Sequence, residues 1–219
     1  MRLLATKILD FHFKQRLLHH NFSLLEVPFI QIEPIPYTPM LPEKNIIVTS
    51  QNAAQLFLQH HPLDTFSHKP HFFCVGKKTA QFLTTQQASI IEIADNAKSL
   101  AERIQSQYTS LKFSFACGKK RLPTLENKLC NNGIELTLHE LYDTKPTSKK
   151  IAPAIDGILF YSPSAVGSYL LNNTIKKAHC FCIGPTTAAA VQPHTNRFSI
   201  AKKPDNNYLF LEIRKHYAA

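Results

Sequence analysis

The sequence predicts an α/β protein with two similar lobes, in which parallel sheets are flanked by helices and one lobe is inserted in the other. Three observations predict this class. Apolar segments typical of buried strands alternate with amphipathic helical segments. Prolines cluster at two places along the chain. A pattern of strand, turn and helix lies between these clusters and recurs after the second one, which indicates duplicated architecture.

The composition is that of a globular protein. The chain has 219 residues, of which 44% are hydrophobic and 18% are charged, and this length can bury one large core or two small ones. No apolar run approaches the ~18 residues of a membrane-spanning helix. No small-residue cleavage site follows the apolar start of the chain. We therefore expect a cytoplasmic protein that does not bind a membrane.

The first elements are a strand over residues 2–6, an amphipathic helix over residues 10–20 and a strand over residues 24–32. The two proline clusters then predict extended linkers. Their members are Pro34, Pro36, Pro39 and Pro42 in the first cluster and Pro146 and Pro153 in the second. If the outer segments fold together, residues 1–37 and 146–219 form one discontinuous domain, and residues 40–143 form a domain inserted in it.

The inserted segment begins with a buried strand that leads into the turn Thr49-Ser50 and a helix. A second strand follows with the turn Gly76-Lys77 and a helix. The remaining elements are a helix over 97–108, a strand over 111–116 and a helix over 122–131. Alternating strands and helices of this kind form parallel sheets.

The last part of the chain repeats the first two of these units. Residues 156–166 repeat the pattern of residues 45–54, and residues 180–188 repeat that of residues 72–80. In parallel sheets, ligands bind beyond the carboxyl ends of the strands, where all four turns fall. Their backbone N–H groups and hydroxyls could bind carboxylate or phosphate oxygens, although each turn could equally serve only as a helix cap. We expect a ligand cleft between the two lobes.

Several site classes are excluded or unsupported. The segment Gly76-Lys77-Lys78-Thr79 is not a P-loop, because His71 stands where the upstream glycine should be and Lys78 stands where Ser or Thr should follow Lys77. No GxGxxG sequence follows a strand. The cysteines lack the CxxC spacing of zinc and thiol redox sites, so we expect reduced thiols and no metal site. They are Cys74, Cys117, Cys130, Cys180 and Cys182.

The formal net charge of +10 indicates a partner that carries several negative charges. Nucleic acid, a polycarboxylate and a polyphosphate are all compatible with it. The basic residues are scattered rather than collected in one arm, and no nucleic-acid-binding motif is present, so we do not expect nucleic acid as the partner.

Five segments together resemble uroporphyrinogen-III synthase over nearly the whole chain. The most specific are Phe-Tyr-Ser-Pro-Ser-Ala-Val at residues 160–166 and Ile-Gly-Pro-Thr-Thr-Ala at residues 183–188; the others cover residues 47–50, 75–80 and 141–144. The resemblance implies two α/β lobes joined by a two-stranded linker. The sequence departs from the family at Thr6-Lys7, where the family commonly has Thr-Arg, and near Gly118, where a Gly-Arg turn is common.

The resemblance also implies a substrate, hydroxymethylbilane, and its cyclisation to uroporphyrinogen III with loss of water, without a cofactor. It implies a catalytic role for Tyr142 and substrate contacts at Lys7, Thr49, Ser50, Gly76, Lys77, Thr79, Gly118, Lys119, Ser162, Ser164, Gly184, Thr186 and Thr187. We expect a monomer that receives its substrate transiently from hydroxymethylbilane synthase. The alternative is a catalytically inactive two-lobed protein that binds a small polyanion.

Overall fold

The computed structural model describes residues 1–217. Its strands are β1 (Arg2–Ala5), β2 (Ser23–Glu26), β3 (Ile30–Pro34), β4 (Asn45–Val48), β5 (His71–Val75), β6 (Ser89–Ala94), β7 (Phe113–Gly118), β8 (Leu136–Pro146), β9 (Gly157–Phe160), β10 (His179–Cys182) and β11 (Phe198–Ile200). Its α-helices are α1 (Phe11–His19), α2 (Gln51–His60), α3 (Lys77–Thr85), α4 (Ala97–Gln107), α5 (Thr124–Cys130), α6 (Pro163–Leu170), α7 (Pro185–Val191) and α8 (Asn206–Tyr217). None of the helices described is long and apolar enough to cross a membrane.

The chain divides into two compact units. Unit 1 contains residues 1–31 and the described residues from 145 onward, and unit 2 contains residues 32–144. Unit 1 has a five-stranded sheet of order β11-β10-β9-β1-β2, and unit 2 has a six-stranded sheet of order β3-β8-β7-β4-β5-β6. The strands of the first sheet are parallel, as are β4 to β8 of the second. The predicted class, parallel sheets flanked by helices, is confirmed.

Each sheet of parallel strands is buried on both faces, which explains why its strands have continuous apolar sequences. In unit 1, Leu3 and Phe181 pack on one face with residues of α1 and α8. The neighbouring Leu4 and Cys182 point to the other face and pack with residues of α6 and α7. Unit 2 has the same two-sided core, with α4 and α5 on one face and α2 and α3 on the other.

The prediction of one strand over residues 24–32 is wrong. The structure has two strands, β2 and β3, separated by Val27, Pro28 and Phe29. Pro28 has no N–H to donate to a neighbouring strand. The N–H groups of Val27 and Phe29 donate to the carbonyls of Ala5 and Thr6 at the end of β1. After this segment the chain leaves the first sheet and enters the second.

The boundary predicted at residue 37 is also wrong, because residues 32–37 belong to unit 2. The N–H of Ile35 donates to the Leu141 carbonyl of β8 at 3.1 Å. The Tyr37 hydroxyl bonds to His61 and His139, which are both residues of unit 2. The prolines of the first cluster therefore lie in and after β3, within unit 2, and do not mark the boundary.

Candidate functional site

The residues proposed for the site in unit 2 lie at one edge of its sheet. Neighbouring strands β5, β4, β7 and β8 are parallel, with Val48 opposite both Cys74 and Ala116, and Gly118 opposite Tyr142. The turns after β4, β5 and β7 follow directly from these positions. The structure thus brings Ser50, Gly76, Gly118 and Tyr142 to the same carboxyl edge, as the parallel topology predicts.

Tyr142 is tied to the beginning of α2. Its hydroxyl lies 3.1 Å from the Oγ of Ser50, and this Oγ also accepts the N–H of Ala53 at 3.1 Å as the cap of α2. If the Ser50 hydroxyl donates to Tyr142, the Tyr142 proton is available to a ligand. Burial raises the pKa of Tyr142 above 10.0 because it disfavours the phenolate, so the side chain is a hydrogen-bond donor at neutral pH.

Gly118 makes room for the Tyr142 ring. A Cβ at residue 118 would lie 2.7 Å from both the Cε2 and the Cζ of that ring, which is closer than side chains pack. The N–H of Lys119 also donates to the Tyr142 carbonyl at 2.7 Å. The end of β7 therefore fixes both the main chain and the ring of Tyr142. The sequence identified Gly118 only as part of a basic turn.

The basic residues after β7 have different partners. The Arg121 guanidinium pairs with Glu126 at 2.6 Å and Glu140 at 2.7 Å, and it donates to the Gly118 carbonyl at 3.0 Å. These contacts stabilise the turn and occupy the guanidinium, so Arg121 is poorly suited to bind a ligand. Lys120 donates to the Thr144 carbonyl at 3.1 Å. The exposed Lys119 is the basic residue of this turn that best suits a ligand contact.

Gly76 adopts the left-handed region, with φ of 83°, which favours glycine at the turn before α3. Its own N–H donates to the Ala94 carbonyl at 2.9 Å and is therefore occupied. A glycine has no side chain to cap the N–H groups of the first turn of α3, so Lys77 and Lys78 present theirs with the positive end of the helix dipole. The Thr79 side chain is buried, so its hydroxyl does not face solvent.

In unit 1, the site residues lie at the carboxyl ends of β1 and β9. The ammonium of Lys7 lies 4.1 Å from the centre of the Tyr161 ring, a cation–π contact. Thr6 donates through its hydroxyl to the Leu159 carbonyl at 2.8 Å and ties the two strand ends together. The Ser162 Oγ accepts the Ala165 N–H at 3.1 Å and caps α6. The sequence did not single out Tyr161 or its contact with Lys7.

The turn after β10 leads through Gly184 into α7. Thr186 is exposed, whereas the Thr187 side chain is 1% exposed. The expectation that both hydroxyls face a ligand is therefore wrong for Thr187, because successive helical residues point about 100° apart. The backbone N–H of Thr187 is still at the first turn of α7. Ser164, in the first turn of α6, is exposed.

A buried polar chain in unit 2 was also missed. The Tyr37 hydroxyl bonds to the Nε2 of His61 at 2.9 Å and to the Nδ1 of His139 at 2.5 Å, and the Nε2 of His139 bonds to the Oγ of Ser114 at 2.9 Å. Burial and the neighbouring His61 lower the pKa of His139 to about 4. Both rings are therefore neutral at pH 7. The sequence gave no signal for the partners of His139.

Each sheet edge thus carries hydrogen-bond donors that suit carboxylates. Capped or glycine-led helix starts, lysines and hydroxyls occur at the edge of unit 1 and again at the edge of unit 2. Unit 2 adds one protonated phenol, Tyr142, with a raised pKa. In residues 1–217 no group of three or more His, Cys, Asp or Glu residues is placed to hold a metal ion.

Comparisons with known proteins identify the family and the fold of the chain. A family model, uroporphyrinogen-III synthase HemD, matches residues 12–210. The fold is similar to that of uroporphyrinogen-III synthetase from Helicobacter pylori 26695, at 17% identity and a TM-score of 0.71 over 99% of this chain and 100% of that one. It is also similar to a mutant uroporphyrinogen III synthase from the extremely thermophilic bacterium Thermus thermophilus, at 13% identity and a TM-score of 0.65 over 98% of both chains. No curated protein sequence matches significantly.

Proposed function

The chain belongs to the uroporphyrinogen-III synthase family, and from this premise we propose that its turns hold the carboxylates of hydroxymethylbilane while Tyr142 assists departure of the substrate hydroxyl. The family reaction cyclises hydroxymethylbilane to uroporphyrinogen III, with loss of water and inversion of ring D, in tetrapyrrole biosynthesis. The protein is thus a cyclising lyase. The family match over residues 12–210 is the observation that carries this conclusion.

The chemistry of the substrate supports the proposed contacts. Hydroxymethylbilane bears acetate and propionate groups on each of its four rings, and the chain has a net charge of +10. Lys7, Lys77 and Lys119 supply charge next to helix starts that supply N–H donors. Hydroxyls of Thr49, Ser164 and Thr186 add further donors to these edges.

The reaction needs positioning more than reactive side chains. Hydroxymethylbilane closes unaided to the uninverted isomer, so the protein has to favour one geometry of closure over another. Loss of the hydroxyl as water gives an azafulvene cation. Ring D then attacks through its substituted carbon to form a spiro intermediate, and fragmentation and reclosure invert that ring.

We assign Tyr142 to the first step. Its phenol donates a hydrogen bond to the departing hydroxyl and then to the released water. The Ser50 hydroxyl, 3.1 Å away, supports this role in the arrangement where it donates to the phenol oxygen and leaves the phenol proton for the substrate. The raised pKa of Tyr142 keeps the proton in place throughout the neutral pH range.

The charged contacts are tested by a Lys7→Gln, Lys119→Gln double variant. A charge pair near the surface contributes up to about 1 kcal/mol, so the KM for hydroxymethylbilane should rise several-fold and the salt dependence of binding should weaken. The matched control is Lys69→Gln, which removes an exposed lysine before the amino end of β5. An unchanged KM in the double variant would contradict the assigned contacts.

We propose further that the protein works in the cytoplasm as a monomer and receives its substrate by brief contact with hydroxymethylbilane synthase. Spontaneous closure of the free bilane supports hand-over, because any substrate that diffuses away forms the wrong isomer. Mixing the two proteins should raise the fraction of type III product above that obtained when bilane is preformed and then added.

A further inference from the structure

A cavity of about 740 Å³ opens in unit 1 at the amino ends of β9 and β10, whereas the turns proposed to bind substrate lie at the carboxyl ends. Residues 150–155, directly before β9, form one wall. Residues 169–174 and 176–178, which end α6 and lead into β10, form the other. The proposed substrate residues instead follow these two strands. Four strand residues span about 13 Å, so the cavity is separate from the site already described.

The two walls are held together by one side chain. The Oδ1 of Asn173 accepts the N–H of Ile151 at 2.8 Å. Its Nδ2 donates to the carbonyls of Lys149 at 2.8 Å and Tyr169 at 3.0 Å. The Tyr169 hydroxyl lies 3.4 Å from the Thr174 carbonyl on the same wall. These hydrogen bonds therefore fix the shape of the loops before β9 and β10 that form the cavity.

The lining combines an apolar floor with a basic rim. Ile151, Ile155 and Leu170 are partly buried in it, while Leu171 is 64% exposed at its edge. The lysines of the rim are Lys150, Lys176 and Lys177. No Asp or Glu is among the described residues that line the cavity.

The end of α6 does not cancel this positive charge. The last carbonyls of a helix carry partial negative charge, which would repel an anion if they were unpaired. Here the carbonyls of Ser168 and Tyr169 accept the N–H groups of Leu171, Asn172 and Asn173. The lysine ammonium groups are thus the main charges that face a ligand in the cavity.

We propose that this cavity is a second binding site, for an amphipathic carboxylate whose apolar body lies on Ile155 and Leu170 and whose acid group meets Lys176 or Lys177. Its volume is within the roughly 300–1,000 Å³ range of small-molecule pockets, which are mostly apolar with a few polar groups. Two kinds of molecule share this chemistry, a fatty acid and a flat tetrapyrrole dicarboxylate.

The fluorescent anion 8-anilinonaphthalene-1-sulfonate is a suitable probe, because its emission rises when its rings enter an apolar site. The full-length protein should bind it saturably, and a Lys176→Glu, Lys177→Glu variant should bind it at least 10-fold more weakly in low salt. The matched control is Arg214→Glu, Lys215→Glu on α8, which makes the same change of charge but packs on the other face of the sheet. Its affinity for the probe should change less than 2-fold.

A second variant, Ala152→Trp, fills the cavity from an exposed lining position. It should weaken binding of the probe without affecting folding. Formation of type III product should be unchanged in both cavity variants. Displacement of the probe by laurate assigns a fatty acid, and displacement by mesoporphyrin assigns a tetrapyrrole dicarboxylate. The proposal is overturned if the probe binds both variants as it binds the wild type, or if neither carboxylate displaces it.

Discussion

Gly118→Ala should impair activity through the Tyr142 ring. The added Cβ would lie 2.7 Å from the Cε2 and Cζ of that ring, whereas ordinary contacts begin at 3.4 Å. The ring or the backbone beside it must therefore shift, and an ordinary contact needs 0.7 Å, the difference between 3.4 and 2.7 Å. Its hydroxyl is held at 3.1 Å from the Oγ of Ser50, so a shift of this size weakens or breaks that hydrogen bond.

The expected effect follows from the cost of misplacing a catalytic group. A shift near 1 Å can cost about 100-fold in rate, so we expect kcat for type III formation to fall roughly 10- to 100-fold. The assay is discontinuous, with the bilane generated in place and the isomers resolved after oxidation. Thermal melting measured on the same samples shows whether the fold is retained.

Gly167→Ala is the matched control for this variant. Gly167 is exposed within α6, and a Cβ there meets nothing within 4 Å. Alanine favours a helix over glycine by up to about 1 kcal/mol, so the control should be fully active and slightly more stable. Normal kcat in Gly118→Ala would refute the argument that the position of Tyr142 matters.

Three other predictions concern single side chains. Tyr142→Phe keeps the ring but removes the hydroxyl, so kcat should fall by about 100-fold or more at an unchanged melting temperature; a normal rate would leave Tyr142 with a packing role only. Thr186→Ala should lower activity without loss of stability, whereas Thr187→Val, at a buried position, should leave activity unchanged. His139 has a pKa of about 4 in the folded protein, whereas its ordinary value is 6.5. As the pH falls, the unfolded chain therefore binds this proton before the folded protein does. The free energy of unfolding should therefore fall by up to about 3 kcal/mol as the pH drops from 6.5 towards 4, measured by urea titration; a flat profile would contradict the neutral, buried ring.

The fold class could be predicted because strands of a parallel sheet are buried on both faces. This produces the apolar runs at residues 45–48 and 157–160, each followed by a hydroxyl turn and a helix. Such patterns are local, and they also place the turns at one edge of the sheet. The break at Pro28 was missed because the apolar pattern continues through it. The chain changes sheets there, which depends on pairing between distant segments.

The place of the candidate residues at the carboxyl ends of the strands could be predicted from the sequence, but their contacts could not. Ser50 and Tyr142 are 92 positions apart, and Tyr37 and His139 are 102 apart. Their hydrogen bonds depend on the register of β4, β7 and β8, which is set by packing across the whole unit. The burial of Thr187 likewise depends on how α7 lies on its sheet. The substrate roles of these residues stay predictions.

The isomer composition of the product, measured against protein concentration, tests the central claim most directly. Hydroxymethylbilane without the protein closes to the type I isomer. An enzyme should raise the type III fraction towards completeness at catalytic concentrations of protein and should accelerate substrate loss. A protein that only binds the bilane would slow substrate loss in proportion to its concentration and leave type I as the product, and that result would contradict the account.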